Sequence, residues 1–149
     1  MRSLKIMSII ENVREKLAGT ILDWYEHTAK RIYLKINPKD IKYAAQVLFK
    51  DLGFRFIIAS GCDTPEGIEI LYHFSYDKSG LVLSVRVLLK DKKKPEIDSI
   101  APLFKAAEWI EREMWELLGI NFVGHPNLEH LLLIDEWPKG NYPLRHDRK

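Results

Sequence analysis

Residues 107–126, AEWIEREMWELLGINFVGHP, are the most informative part of this sequence. Apolar residues recur in its first part at the spacing of one helical face: Ala107, Ile110, Met114, Leu117 and Leu118. Gly119 follows directly, and a glycine in the left-handed conformation ends many helices. The stretch therefore predicts a long amphipathic helix that ends at Gly119.

The same helix is expected to be covered on more than one side. Trp109 and Trp115 lie off the apolar face, so a second side of the helix must also be buried. Glu113 and Glu116 lie toward that second side. A helix covered on several sides is either a core helix or one that faces a partner protein, and the sequence leaves both interpretations open.

The chain begins with a predicted helix and at least one strand. Ser8 and Glu11 form a capping-box pattern that opens a helix, and Gly19 ends it. Residues 30–36 alternate apolar and polar side chains, which predicts a strand. Residues 21–25 form either another strand or an extended lead-in.

A second helix and three consecutive strands follow. Asn37 and Pro38 suit the N-cap and first position of a helix, and Gly53 suits its end. A hairpin turn is expected at residues 77–80. Three apolar segments around it predict consecutive antiparallel strands: 54–59, 68–76 and 81–89.

The last helix is expected to begin at Asp98 or Ser99, with Pro102 in its first turn. The predicted order is a helix, then β-α-β-β-β-α, then an irregular extended tail. This order predicts an α+β fold in which a mixed, mainly antiparallel sheet is covered by helices. We expect residues 1–123 to form a compact domain and residues 124–149 to form its irregular docking tail.

Length and charge limit the class of protein. A chain of 149 residues corresponds to about one domain, and a net charge of +2 is too small to indicate a nucleic-acid partner. The longest largely apolar run, residues 81–89, is interrupted by Ser84 and Arg86 and is shorter than the ~20 residues that cross a bilayer. No signal-peptide pattern occurs, so we expect a cytoplasmic chain. Glutamine occurs only at Gln46, while lysine, glutamate and isoleucine are frequent, which favours a thermophilic source.

No metal or cofactor site is expected on this chain. Cys62 is the only cysteine, so the thiolates that an iron–sulfur cluster or a structural zinc site requires are missing. Cys62 is expected in a loop, as a partly exposed thiol. The spacing of His125 and His130 does not place two metal ligands on one helical face. His125 before Pro126 is instead typical of a turn residue whose imidazole bonds nearby backbone.

A catalytic role is the alternative hypothesis. Glu113 and Glu116 have the residue types of a general acid and base, which a stand-alone acid–base hydrolase would use. Glutamates three residues apart on a helix are more often surface or ion-paired residues, and Arg112 lies beside them as a partner for a carboxylate. The lysine-rich loop at residues 90–94 is expected to be solvated rather than to bind a polyanion.

The tail requires a surface on which to lie. Proline and glycine interrupt it, yet it carries large apolar residues whose exposure would cost about 1.5 to 3 kcal/mol each. These residues are Leu131, Leu132, Leu133, Ile134 and Trp137. The positive charges at its end include Arg145. We therefore expect the tail to lie partly on its own domain and partly on an acidic partner chain.

The ordered motif of this region resembles that of a known family. It runs through Glu111-Arg112-Glu113, Glu116-Leu117-Leu118-Gly119-Ile120, Phe122, Gly124-His125-Pro126, Leu128 and Pro143-Leu144-Arg145-His146-Asp147. With these residues the chain resembles the 30-kDa subunit, also called the C subunit, of respiratory NADH:quinone oxidoreductase (complex I). The family includes the homologous subunit of energy-converting membrane-bound hydrogenases.

The resemblance implies a non-catalytic structural or assembly subunit in the peripheral arm of an ion-translocating oxidoreductase, on the cytoplasmic side of the cell membrane. It implies packing against a nickel–iron-hydrogenase-like large subunit and a cluster-bearing small subunit. Iron–sulfur clusters and any nickel–iron site or flavin would lie on those partners. The short C-terminal end favours a membrane-bound hydrogenase or sulfur-reducing complex. The motif then provides the expected partner interface: Trp109, Glu111, Arg112, Glu113, Glu116, Gly119, His125, Pro126, Leu144, Arg145 and Asp147.

Overall fold

The computed structural model describes residues 4–146, which form three α-helices and seven strands. The helices are α1 (Leu4–Lys16), α2 (Ile41–Gln46) and α3 (Ala107–Leu118). The strands are β1 (Ile21–Thr28), β2 (Arg31–Ile36), β3 (Arg55–Thr64), β4 (Gly67–Tyr76), β5 (Leu81–Leu89), β6 (Glu96–Asp98) and β7 (Asn121–Val123). A 3-10 turn (Pro38–Asp40) precedes α2, and a π-helical turn (Val47–Asp51) follows it.

Five strands form one sheet in the order β1-β2-β5-β4-β3. All neighbours in it are antiparallel except β2 and β5, which pair in parallel. The parallel pair arises because the chain crosses from β2 through α2 to the far edge, β3, before two hairpins return it to the centre. The predicted α+β fold with a mixed, mainly antiparallel sheet is confirmed.

One face of this sheet is buried against the helices. In β4 the side chains of Ile68, Ile70, Tyr72 and Phe74 are fully buried, while most of the residues between them are only partly buried. This alternation is expected for an antiparallel sheet with one face on the core. Buried residues of all three α-helices join the same apolar cluster, and α3 lies against the edge strand β3. None of the helices within residues 4–146 is long and apolar enough to cross a membrane.

The first part of the chain corrects two boundary predictions. α1 is already helical at Leu4, and its buried face begins at Ile6. Ser8 therefore lies inside the helix rather than at its start. Residues 21–28 form the edge strand β1, which resolves the alternative left open by the sequence. Asn37 makes no side-chain capping bond, and the turn after it is a 3-10 turn.

The predicted start of the last helix is wrong. Residues 96–98 form β6, which pairs in parallel with β7, and α3 begins only at Ala107. The Ser99 hydroxyl accepts a hydrogen bond from the backbone N–H of Ala101, so it shapes a turn instead of a helix start. Cys62 is exposed as expected, but it lies within β3 rather than in a loop. Residues 124–146 contain no helix or strand, and the domain boundary after residue 123 stays a prediction.

Candidate functional site

Arg112 and Glu116 hold the backbone of the tail against α3. The Arg112 guanidinium donates to the carbonyl oxygens of Glu129 (3.0 Å) and His130 (2.7 Å). The Glu116 carboxylate accepts backbone N–H groups from Leu131 (3.0 Å) and Leu132 (2.7 Å), and a longer one from the next residue. Because residues four apart lie on one helical face, a cation and an anion of α3 bind carbonyl and amide groups of one short segment of the tail, residues 129–133.

The carboxylate of Glu116 is fully occupied by these donors. Its side chain is buried, and the Nδ1 atom of His130 lies 3.2 Å from Oε2. Burial acts to raise the pKa of Glu116, but the hydrogen bonds from the tail backbone and from His130 outweigh it, so the pKa lies below its usual value. Glu116 is therefore a structural anion at neutral pH.

His125 ties the turn after β7 to the first turn of α3. Its Nδ1 accepts the backbone N–H of Asn127 at 2.9 Å, and its Nε2 lies 2.9 Å from the carbonyl oxygen of Glu108. Because the Asn127 N–H is a donor, Nδ1 carries no proton, and Nε2 must donate to the carbonyl. The expectation that this imidazole bonds nearby backbone is confirmed.

Glu111 faces the core instead of the tail. Its side chain accepts the Ser99 hydroxyl at 2.6 Å and the backbone N–H of Ile100 at 2.8 Å. Burial raises the pKa of Glu111 to about 7, although these two hydrogen bonds act in the opposite direction. This carboxyl group joins α3 to the segment after β6, inside the protein.

Arg145 joins the end of the tail to three other parts of the chain. It donates to the carbonyl oxygens of Leu118 (3.2 Å) and Lys92 (2.7 Å), and its Nε lies 3.5 Å from the buried carboxylate of Asp63. The same carboxylate pairs with the Lys92 ammonium at 2.7 Å and accepts the backbone N–H of His146. Burial acts to raise the pKa of Asp63, but Lys92 and the other donors lower it below its usual value.

Gly119 has two structural reasons to be glycine. It ends α3 in the left-handed conformation (φ 75°), as predicted. A Cβ atom at this position would lie within 2.5 Å of the Tyr142 ring, so the tail packs directly on the backbone of the helix end. The backbone N–H of Leu144 adds a hydrogen bond to the carbonyl oxygen of Leu117 at 3.0 Å.

Several predicted interface residues remain exposed. Trp109 is 69% exposed, so this chain does not cover that side of the helix, and Pro126 and Leu144 are also exposed. Glu113 is half-buried. Two apolar tail residues, Leu132 and Ile134, are 64% and 66% exposed. Asp147 lies outside the described residues.

The charged motif residues described above bind other parts of this chain. Within residues 4–146, no three His, Cys, Asp or Glu side chains are grouped so that they could hold a metal ion. Arg112 pairs with Glu129 of the tail, at 3.7 Å, instead of with a neighbouring helix carboxylate. Lys92 is bound to Asp63, so the lysine-rich loop is not simply solvated as expected.

Asp63, Lys92 and Ser99 were not identified as site residues from the sequence. Asp63 could have been singled out, because it follows a run of uncharged residues. A charged side chain that is buried in such a strand requires a partner of opposite charge. Its partners are distant in the chain, so they are apparent only in the folded structure.

The comparisons with known proteins agree with the motif. The sequence pattern of the respiratory-chain NADH dehydrogenase, 30 Kd subunit, matches residues 34–149. The chain is 32% identical over 114 residues to the NADH-quinone oxidoreductase C/D subunit of Bacteroides thetaiotaomicron, covering 74% of this chain and only 20% of that protein. It is 32% identical over 143 residues to the F(420)H(2) dehydrogenase C subunit of Methanosarcina mazei, covering 94% of this chain and 89% of that protein.

The fold is similar to that of a chain in the solved structure of the membrane-bound sulfane sulfur reductase (MBS), an archaeal respiratory membrane complex. The TM-score is 0.84 at 23% identity, with 97% of this chain and 86% of that chain covered. The resemblance predicted from the ordered motif is confirmed, since the family pattern covers well over half of the chain. The chain belongs to the family of the 30 Kd subunit of respiratory-chain NADH dehydrogenase.

Proposed function

We propose that this chain is a non-catalytic assembly subunit in the peripheral, cytoplasmic arm of a complex I-like, ion-translocating oxidoreductase. It packs against a hydrogenase-like large subunit and a cluster-bearing small subunit. These partners carry the iron–sulfur clusters and any nickel–iron site or flavin. A membrane-bound hydrogenase or sulfur-reducing complex is the favoured branch, and this chain is attached to the membrane through the complex alone.

This proposal rests on the contacts that the charged residues of the motif make. Arg112 and Glu116 bind the tail backbone, and Arg145 binds the end of the tail to the rest of the domain. These motif residues therefore shape a surface rather than a reactive centre. That surface leaves Trp109, Leu132, Ile134 and Leu144 exposed. Exposed apolar groups on an ordered surface are typical of a protein–protein interface.

The same contacts weigh against the hydrolase alternative. A general acid or base must reach a substrate atom, and the Glu116 carboxylate is buried and bonded to backbone N–H groups and His130. Its lowered pKa also makes it a weak base. Without Glu116, Glu113 would have to serve as both the general acid and the general base. We therefore assign no catalytic residue to this chain.

Purification of the tagged chain from membranes of its source tests the proposal. The hydrogenase-like large subunit and the small cluster-bearing subunit should co-purify with it in equal amounts. Leu132→Asp together with Ile134→Asp should lower that recovery by about tenfold, because both residues lie on the proposed interface. Leu22→Asp is the matched control, since Leu22 is an exposed apolar residue on the distant edge strand β1.

Recovery of the chain without any redox subunit would refute the assembly role. Hydrolase activity that disappears in Glu113→Gln would restore the alternative. The isolated chain should contain far less than one iron or zinc per molecule by elemental analysis, whereas the co-purified complex should contain iron.

A further inference from the structure

The two edge strands of the five-stranded sheet are protected to different degrees. β1 carries Asp23 and Glu26, and its pairing with β2 is irregular at two places. β3 has seven uncharged residues in a row between Arg55 and Asp63 and a single irregularity. Charges and bulges normally prevent an edge strand from pairing with another chain. The β3 edge is therefore the more open of the two to a further strand.

The outer side of β3 has no strand partner among the described residues. Among residues 4–146, β3 pairs only with β4, on its inner side. Ile57 and Ile58 are exposed at this edge. Edge N–H and C=O groups bind an extended segment by the same ladder of hydrogen bonds that joins strands within a sheet.

A groove runs beside this edge, between β3 and α3. Its volume is about 250 Å³, and its lining includes residues 58–61 of β3, Ile110 and Leu117 of α3, and Leu144 of the tail. β3 and α3 approach closely here: a Cβ atom added to Gly61 would lie only 2.5 Å from Leu118 Cδ1. The groove is largely apolar and suits alternate side chains of a strand laid along β3.

Among the described residues that line the groove, Glu113 is the only ionisable one. It makes no hydrogen bond or ion pair with another described residue, unlike Glu111 and Glu116 on the same helix. A half-buried carboxylate beside an apolar groove favours an occupant that brings a positive charge. A second copy of this chain fits poorly, because symmetric pairing of two β3 edges would bring two Glu113 carboxylates into the same interface.

We infer that β3 and the groove beside α3 bind an extended segment of a partner subunit, which adds a sixth strand to the sheet along β3. Its apolar side chains enter the groove, and a lysine or arginine pairs with Glu113. This inference rests on the proposed function, because the partner is a subunit of the same complex. The inference adds that the partner binds as a strand along β3 and places a positively charged side chain beside Glu113.

Hydrogen exchange of the full chain, alone and within the purified complex, tests the inference. Amides of β3 should exchange at least about tenfold more slowly in the complex, because a sixth strand would engage edge N–H groups that pair with no other strand in the described chain. Unchanged β3 exchange in a complex that retains the chain would overturn the inference and leave the assembly role intact. Absence of the chain from any redox complex would overturn both.

Paired substitutions give a second measurement. Ile57→Lys places a charge on the β3 edge and should reduce recovery of the complex by about tenfold, whereas Leu22→Lys on β1 should not. Glu113→Lys should reduce recovery more than Glu66→Lys, which makes the same charge change in the exposed β3–β4 turn. Circular dichroism checks that each variant is folded. Equal losses within each pair would overturn the inference.

Discussion

Two buried glutamates on α3 have opposite pKa shifts. Glu111 is 0% exposed and Glu116 is 3% exposed, yet the pKa of Glu111 is raised to about 7 and that of Glu116 is lowered. Glu111 lies in the core near Tyr72, with the Ser99 hydroxyl and one backbone N–H as its close donors. Glu116 lies directly beneath the tail, with several backbone N–H groups and His130 around it.

The difference shows that a low exposed fraction does not by itself decide the charge state of a carboxylate. Desolvation acts to raise both pKa values, but Glu111 lies deep in the core whereas Glu116 lies just beneath the tail, so the donors outweigh desolvation only at Glu116. Glu116 can remain an anion because the tail supplies an amide-rich binding site for it. Glu111 is only partly ionised near neutral pH because desolvation deep in the core exceeds the effect of its donors.

Removal of the Glu116 carboxylate should have the largest effect. Glu116→Ala leaves the N–H groups of Leu131 and Leu132 without an acceptor, so we expect the free energy of unfolding to fall by about 4 kcal/mol, or the tail to detach. Urea unfolding and protease cleavage of residues 129–146 measure these outcomes. Glu113→Ala in the isolated chain is the control and should change stability by less than about 0.5 kcal/mol. Equal costs at both positions would contradict the role of Glu116.

The pH dependence of stability should distinguish Glu111 from Glu116. The folded-state pKa of Glu111, about 7, lies above its ordinary value of 4.5, so the folded protein binds the proton more tightly than the unfolded chain does. Stability from this group is therefore full below pH 4.5 and is lost as pH rises through 7, by about 3 kcal/mol.

Glu111→Gln should remove this decline, because the amide cannot ionise. The variant should lose less stability than the wild type between pH 5 and pH 8 in urea unfolding. For Glu116, the lowered pKa gives the opposite sign, so its stabilising effect should be lost as pH falls. A Glu111→Gln variant with an unchanged pH profile would show that another group titrates there.

Asp63 provides an intermediate test, since it too is a buried carboxylate bound by the tail. Asp63→Asn should lower the free energy of unfolding by about 2 kcal/mol at pH 7, because Lys92 and Arg145 lose their shared anion. The pKa of Asp63 is lowered, so the cost should shrink at acidic pH as the wild-type carboxylate becomes protonated. Asp77→Asn, at an exposed ion pair with Arg55, should cost much less.

The smallest effect is expected for Arg112→Lys. Lysine keeps the positive charge but cannot bond the carbonyl oxygens of Glu129 and His130 in the same fork geometry. We expect a loss of about 1 kcal/mol in urea unfolding, with faster hydrogen exchange in residues 131–133. A loss as large as that of Glu116→Ala would mean that the cation, and not the anion, dominates tail binding.

Local patterns were sufficient to predict most of the fold. The apolar spacing and Gly119 predicted the end of α3, and alternating segments with a turn predicted the hairpin from β4 to β5. The ordered motif predicted the family. Each of these structural features depends on residues close together in the chain, because helix periodicity, strand alternation and left-handed caps are local properties.

The roles of the motif charges depended on the tertiary structure. The sequence placed Glu111 and Glu116 on one helix, but it could not show that one faces Ser99 and the other the tail backbone. The Asp63 partners are far along the chain, and β6 pairs with a strand beyond α3. Such contacts are fixed by packing between distant segments, and a carboxylate's pKa follows from the depth of burial and the donors that this packing gives it.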